Sequence, residues 1–110
     1  MAVPGYIPMD VLRTLEKQSG LLRLIVYLAQ DGEKPLTEIL DETDIPVHQL
    51  YSSIEKGKAM DLIANRIENE TYPPKNLVFC TAKGKKVARK LLEIKKIVES
   101  GVPSKRYQSG

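Results

Sequence analysis

The sequence predicts an α+β fold in which a small helical core carries an antiparallel β-hairpin and a long C-terminal helix. Apolar residues recur at helical spacing through residues 9–60, with turns between the segments. Two short apolar runs, 62–68 and 77–81, flank a loop rich in Pro and Asn. Residues 82–100 then form one uninterrupted amphipathic segment. The chain has 110 residues, which suits one domain and is too short for two ordinary ones.

The first half of the chain predicts an N-terminal arm followed by helices. Residues 1–8 contain two prolines and a glycine, which favour an extended arm. A short strand is expected at 33–36. The helical spacing and the turns predict helices at 9–18, 21–30 and 47–60. A further short helix is expected to begin after Thr37, which is its predicted N-cap.

The second half predicts a hairpin and one long helix. The apolar runs 62–68 and 77–81 are the expected strands, and the loop 69–76 joins them. Thr81 is the expected N-cap of a helix over 82–100, because its hydroxyl is able to accept a bond from a free backbone N–H of the first turn.

Residues 9–100 are therefore expected to form one domain, with a flexible tail at 101–110. Within this domain Ile45-Pro46 joins two helices by a tight turn, and the hairpin follows directly. Two helices joined in this way and followed by a hairpin form the winged helix-turn-helix plan. In that plan the second helix, 47–60 here, is the recognition helix that enters the major groove of DNA.

The predicted recognition helix has a polar face and an apolar face when its residues are placed about 100° apart, and the apolar face is expected to carry Val47, Leu50, Tyr51 and Ile54. The polar side chains form hydrogen bonds of the kind that read base edges, since Gln pairs with adenine and Ser with either base. Every amphipathic helix of a globular protein has a polar face, so the position of this helix before the hairpin is what favours DNA. The predicted contacts are His48, Gln49, Ser52, Ser53 and Lys56.

Two segments resemble known regulators. The stretch 46–63, PVHQLYSSIEKGKAMDLI, resembles the recognition-helix region of bacterial and archaeal winged-helix regulators. The stretch 71–91, TYPPKNLVFCTAKGKKVARKL, resembles the wing end of the HxlR-like family. It has the proline-containing wing at Pro73-Pro74, an apolar strand that ends in Thr, and a Lys-Gly-Lys helix start. MarR-like regulators are the alternative family.

This resemblance covers about residues 12–92 and implies a dimeric regulator that inserts one helix per subunit into successive major grooves. The sequence departs from the family pattern at two positions. Asp61 stands where the turn after the recognition helix usually has Gly, and Asp tolerates a left-handed conformation. Gly57 stands where an apolar residue is usual, which indicates either an early end of the helix or a close packing contact.

Charge is distributed unevenly along the chain. The formal net charge is +3, but residues 1–54 contain four Lys/Arg against eight Asp/Glu, whereas residues 55–110 contain thirteen against six. A basic half suits a polyanionic partner, and a solvated Lys-rich helix explains the same charge equally well. The expected DNA contacts of the hairpin, whose charge is otherwise mixed, are Arg66, Lys75 and Asn76.

The short third helix opposes DNA binding, because Glu38, Asp41, Glu42 and Asp44 lie in or beside it. These carboxylates would repel any phosphates they faced, so they must point away from a duplex, or the chain binds a protein instead. Two functions are therefore open. One is a dimeric transcriptional regulator that binds double-stranded DNA. The other is a winged-helix module that binds proteins in a transcription or replication complex.

The last helix predicts a dimer interface. Its apolar residues from Val87 to Val98 are spaced four, three and four apart, which is the spacing of a coiled-coil seam. Packing on the protein's own core needs only the first turns, so a seam that reaches Val98 favours a partner helix. The predicted homodimer contacts are Leu12, Leu15, Val87, Leu91, Ile94 and Val98.

The sequence predicts no enzyme, cofactor or metal site. His48 is the only histidine and Cys80 the only cysteine, and their elements are expected to face apart. No glycine-rich phosphate loop is present. The longest apolar stretch, 21–29, contains Arg23 and is far shorter than the ~20 residues of a membrane span. With no secretory signal at the N-terminus, a cytoplasmic protein is expected.

Overall fold

The computed structural model describes residues 6–101, which contain five helices and three strands. Residues 1–5 of the expected arm and 102–110 of the expected tail lie outside the described residues. The elements are α1 (Tyr6–Lys17), α2 (Leu21–Asp31), β1 (Lys34–Pro35), α3 (Leu36–Glu42), α4 (Val47–Ala59), β2 (Ile63–Glu68), β3 (Lys75–Cys80) and α5 (Ala82–Gly101). This order confirms the predicted fold class.

Helix α1 begins at Tyr6, three residues before the predicted start. The expected extended arm is therefore wrong for residues 6–8. Pro8 is the third residue of the helix. Backbone N–H groups of the first turn have no partner inside the helix, so a proline there removes no helical hydrogen bond.

The three strands form one antiparallel sheet in the order β1-β3-β2. The hairpin of β2 and β3 runs in register from the pair Ile63 and Cys80 to the pair Glu68 and Lys75. Strand β3 thus begins two residues before its predicted start. Strand β1 pairs with the other edge of β3 through Lys34 and Pro35, so the hairpin is fastened to the helical part of the fold.

Helix α2 lies at the centre of the core and packs against α4, α5 and β3. Its side chains Leu21, Leu24 and Ile25 are completely buried. They meet buried residues from all the other layers, namely Ile39, Ile45, Leu50, Leu62, Ile63, Val78, Cys80 and Ala88. Burial of an aliphatic side chain contributes about 1.5–3 kcal/mol, so this single cluster holds α3, α4 and the sheet in place.

Both departures from the family pattern have a structural reason. A Cβ atom on Gly57 would lie 2.6 Å from Ile63 Cδ1, so the glycine allows α4 and β2 to touch. This confirms the predicted close packing contact, and α4 continues to Ala59. Asp61 has a φ of 62° in the turn between the two elements, which confirms the left-handed conformation expected there.

One of the two predicted helix caps is present. The Thr81 hydroxyl accepts a hydrogen bond from the Gly84 N–H at 2.9 Å, which confirms the cap of α5. The predicted Thr37 cap is wrong, because α3 begins at Leu36 with Pro35 at the N-cap and no side-chain cap bond. Pro35 still belongs to β1, so the chain passes directly from strand to helix before it reaches Thr37.

Candidate nucleic-acid interface

The exposed face of α4 is turned relative to the face predicted from sequence. The residues that α4 buries are Leu50, Ser53 and Gly57. In contrast, the apolar side chains Val47 and Tyr51 are 52% and 51% exposed. At about 100° per residue, the buried face is centred about 80° from the centre of the expected apolar face. The recognition helix therefore presents a mixture of polar, apolar and aromatic groups.

Ser53 is a predicted DNA contact that the structure contradicts, because it is 0% exposed. Its hydroxyl donates a hydrogen bond to the Ser19 carbonyl oxygen at 3.2 Å and accepts one from Gln18 Nε2 at 3.3 Å. These bonds join α4 to the end of α1. A small side chain allows the two helices to approach, and the hydroxyl satisfies polar groups that burial would otherwise leave unpaired.

The other predicted contacts on α4 remain accessible. His48 and Lys56 are exposed, and Gln49 and Ser52 are half-buried at the edges of the exposed surface. We call this surface, together with Val47 and Tyr51, the α4 face; its members are Val47, His48, Gln49, Tyr51, Ser52 and Lys56. Sequence reasoning assigned its two apolar members to the core. The signal that identifies the true buried side is the pair of small residues four apart, Ser53 and Gly57, since a neighbouring segment lies close at both, Ser19 at the first and Ile63 of β2 at the second.

The hairpin, which we call the wing, contains β2, β3 and the loop between them. Arg66 was predicted to contact DNA, but its guanidinium group forms a bidentate ion pair with Glu33, with N–O distances of 2.7 and 2.9 Å. Glu33 precedes β1 and Arg66 lies in β2, so the pair links the two edge strands on either side of β3. The hydrogen bond from Arg66 lowers the pKa of Glu33.

The two remaining predicted contacts of the wing lie at its end. Lys75 and Asn76 are both exposed, and the Asn76 Oδ1 accepts a hydrogen bond from Asn65 Nδ2 at 2.8 Å. The nearby Tyr72 is 95% exposed, and sequence reasoning did not single it out. Its position between Thr71 and Pro73, at the tip of a hairpin far from the core, is the only sequence signal that marks it.

Most of the carboxylates of α3 are engaged by neighbouring side chains. Glu42 accepts a hydrogen bond from the Tyr27 hydroxyl. Lys34 Nζ lies 3.4 Å from Glu38 Oε1 and 3.5 Å from Glu42 Oε1. Burial and the bond to Glu42 raise the pKa of Tyr27, whereas the bond from Tyr27 lowers the pKa of Glu42. These contacts keep two of the acidic groups of α3 turned toward α2 and β1.

The turn between α3 and α4 is fastened in the same way. Arg23 of α2 donates a hydrogen bond from Nη1 to Asp44 Oδ1 at 2.8 Å. Both side chains are more than half exposed, so the net contribution of the pair to stability is small. The pair matters for the charge of this surface, because it neutralises the carboxylate nearest the start of α4. Asp41 is exposed and forms no ion pair with any described residue.

The predicted dimer contacts divide into two groups. Leu15 and Val87 pack against the protein's own core, and Leu91 lines a groove of about 350 Å³ between α2 and α5. The second group is solvent-exposed: Leu12 is 56%, Ile94 54% and Val98 59% exposed. Two further apolar side chains, Val11 and Ile97, are also exposed beside them.

Groups that bind metals are dispersed in the described part of the chain, where no three His, Cys, Asp or Glu residues are clustered for a metal ion. Cys80 is buried, its thiol donates to the Ile25 carbonyl oxygen at 3.2 Å, and burial raises the pKa of that thiol. It therefore packs as a small apolar residue. Among the helices of the described residues, none has the length and apolar character to cross a membrane.

Comparison with known sequences finds no match to any protein-family model and none to curated proteins. Solved structures do match. A MarR-family transcriptional regulator from Enterococcus faecalis V583 superposes with a TM-score of 0.76 at 20% identity, over 97% of this chain and 96% of that one. The reduced form of the transcriptional regulator YodB from B. subtilis gives 0.69 at 19% identity, over 92% and 95% of the two chains.

A third match extends the likeness to an archaeal protein. The transcriptional regulator homologue from Pyrococcus horikoshii OT3 has a TM-score of 0.63 at 21% identity, over 84% of this chain and 97% of that one. At these identities the likeness concerns the fold. The three matches cover 84–97% of this chain and 95–97% of the matched chains. The chain therefore has the winged helix-turn-helix fold of these transcriptional regulators.

Proposed function

We propose that the chain is a transcriptional regulator that binds double-stranded DNA as a homodimer. Helix α4 enters the major groove and the wing segment 69–76 lies alongside the duplex. The observation that supports this proposal most directly is the α4 face. It presents hydrogen-bonding side chains on the second helix of a helix-turn-helix whose orientation α2 fixes. The regulators with the same fold provide further support.

Because the exposed face of α4 differs from the predicted one, the DNA contacts expected of its residues also change. His48, Gln49 and Ser52 are the groups for base edges, since each is able to form hydrogen bonds in the major groove. Val47 and Tyr51 provide apolar contact, which suits the methyl group of thymine. Lys56 and Lys75 are the groups for phosphates. Arg66 contributes by holding the wing against Glu33.

The homodimer is supported by the apolar side chains that the fold leaves exposed on α1 and α5. Leu12, Ile94 and Val98 are each more than half exposed in the single chain. Exposed apolar side chains grouped on one helix, as Ile94 and Val98 are on α5, mark an interaction site. A two-fold axis would place two copies of α4 side by side, as needed for two half-sites of a duplex.

The test is a fluorescence-anisotropy titration of a mixed-sequence duplex of about 30 base pairs, three helical turns, at two salt concentrations. We expect binding that weakens steeply with salt, because each neutralised phosphate releases condensed counterions. Gln49→Ala should cost about 1–3 kcal/mol at the preferred site and relax base preference. Absence of binding at low salt would contradict the proposal.

A protein-binding module is the second candidate, and one observation favours it. Val47 and Tyr51 expose apolar surface on the helix that would read DNA, and aromatic residues are enriched in protein interfaces. If the duplex fails to bind at low salt, the α4 face becomes the surface to test. Tyr51→Ala would then abolish binding to a protein partner.

A further inference from the structure

A basic cleft lies between α1 and α4, beside the α4 face. Its volume is about 280 Å³, and its lining residues are Arg13, Thr14, Lys17, Gln18 and Lys56. Water occupies about 30 Å³ per molecule in the liquid. The cleft therefore has enough volume for a phosphate group together with part of its hydration shell. We call it the α1–α4 cleft.

The walls of the cleft are held in fixed positions. Gln18, which lines the cleft, donates a hydrogen bond to the buried Ser53 hydroxyl at 3.3 Å, and Ser53 donates in turn to the Ser19 carbonyl oxygen at 3.2 Å. Lys56 follows Ser53 by three residues on α4, and Arg13 and Lys17 are four residues apart on α1. Side chains three or four positions apart lie on the same face of a helix. The buried serine therefore sets the separation of the cations on the two helices.

The three cations lack acidic partners. Arg13, Lys17 and Lys56 are exposed, and none of them forms an ion pair with a described residue. No carboxylate lines the cleft, whereas five other cationic side chains of the described residues are paired with one. Glu16 and Glu55 lie on the same helices but outside the lining. Unpaired cations around a fixed concave site attract an anion, and Arg and Lys are the usual ligands of phosphate.

We propose that the α1–α4 cleft binds a backbone phosphate of the DNA duplex next to the major groove that α4 enters. This rests on the proposed function. Lys56 belongs to both the α4 face and the cleft, so a strand that borders the occupied groove passes from one to the other. Arg13 and Lys17 then extend the phosphate contacts onto α1, a helix outside the helix-turn-helix. These contacts strengthen binding to all sequences equally, because phosphates do not report base identity.

The experiment compares three proteins in the anisotropy titration over a series of salt concentrations. They are the wild type, the variant R13Q/K17Q, and the control K86Q/R89Q, which removes one Lys and one Arg from exposed positions on α5. We expect R13Q/K17Q to bind about tenfold more weakly at low salt. The slope of log K against log salt should fall by about 1–2, at about 0.9 per phosphate. Preference between duplex sequences should be unchanged.

The outcomes separate this inference from the proposed function. If the wild type binds no duplex, the proposed function fails and this assignment fails with it. If the wild type binds and R13Q/K17Q has the affinity and salt slope of K86Q/R89Q, only the cleft assignment is overturned. A thermal-shift measurement with sodium pyrophosphate at matched ionic strength tests a free anion as the occupant. Stabilisation of the wild type but not of R13Q/K17Q, with unchanged DNA binding, would also overturn the duplex assignment.

Discussion

At the scale of single residues, the position of Ser53 determines what α4 shows to a partner. Hydrophobicity alone assigns a serine to the surface and a tyrosine to the core. In α4 the reverse is found, because Ser53 is buried and Tyr51 is half exposed. The reason is that only a small side chain fits where a neighbouring segment lies close to the helix, as the chain at Ser19 does beside Ser53. The same geometry explains Gly57, whose missing side chain leaves room for Ile63.

Ser53→Ala tests this reversal. Loss of the hydroxyl leaves the Ser19 carbonyl and the Gln18 amide without a partner, so the free energy of unfolding should fall by about 1–2 kcal/mol in urea titrations. DNA affinity of the folded variant should fall by less than that of R13Q/K17Q, because only a wall of the α1–α4 cleft is loosened, and base preference should be unchanged. The control is Ser52→Ala, which should leave stability nearly unchanged and weaken DNA binding by about fivefold, or ~1 kcal/mol. A changed base preference of S53A at full stability would restore Ser53 as a contact.

The Glu33–Arg66 pair is a second feature of single residues, and it predicts a pH dependence. The hydrogen bond from Arg66 places the pKa of Glu33 in the folded state below its unfolded value. The stabilisation is therefore complete above the unfolded pKa and is lost as the pH falls through the folded one. Glu33→Gln should lower the thermal midpoint at neutral pH and flatten its decline in acid.

The measurement is the midpoint of thermal unfolding from neutral pH down to acid, for wild type and E33Q. Asp41→Asn serves as the control, since it removes an exposed carboxylate that has no ion partner among the described residues. Coincident curves for wild type and E33Q would show that the pair contributes nothing to folding. Because both groups are largely exposed, added salt should reduce the difference.

At the scale of elements, the two threonines that the sequence predicts as caps, Thr81 and Thr37, serve as a test and its control. Thr81 accepts from the Gly84 N–H at 2.9 Å and donates to the Asp61 carbonyl oxygen at 2.7 Å, so it fastens the start of α5 to the turn after α4. Thr81→Ala should therefore cost about 1–2 kcal/mol of unfolding free energy. Thr37→Ala should change it by less than about 0.5 kcal/mol, because that side chain caps nothing. Equal losses in urea titrations would contradict the assignment of the caps.

The order and type of the elements could be predicted from the sequence, because apolar periodicity, Gly and Pro record local structure directly. The rotation of α4 about its axis could not, since it depends on which neighbour approaches. The role of Arg66 could not be predicted for the same reason. A positive charge on a hairpin is visible in the sequence, but its pairing with Glu33 depends on the order of strands in the sheet. Site residues are thus harder to predict than elements, because their partners lie far away along the chain.

At the scale of the whole molecule, three surfaces have distinct chemistry. The α4 face and the α1–α4 cleft are adjacent and share Lys56, which joins the surface proposed to read bases to the site proposed to bind a phosphate. The exposed apolar residues lie on α1 and the distal part of α5. Helix α1 therefore belongs to both kinds of surface, with Leu12 exposed for a partner subunit and Lys17 lining the cleft. Dimer formation would thus position a helix that also contacts DNA.

The double variant I94E/V98E tests this arrangement. Both residues are more than half exposed in the single chain, so the variant should fold with an unchanged helical circular-dichroism spectrum. In a two-fold interface each substitution acts twice, and each lost apolar contact removes about 1.5–3 kcal/mol. The dimer dissociation constant should therefore rise by about 100-fold or more. Light scattering during size-exclusion chromatography measures this directly, with K96E as the control for added negative charge on α5.

If I94E/V98E is monomeric, its affinity for a two-half-site duplex should fall toward that of a single half-site. A wild type that is monomeric at all concentrations would contradict the dimer, and tight binding by that monomer would show that one α4 face is sufficient.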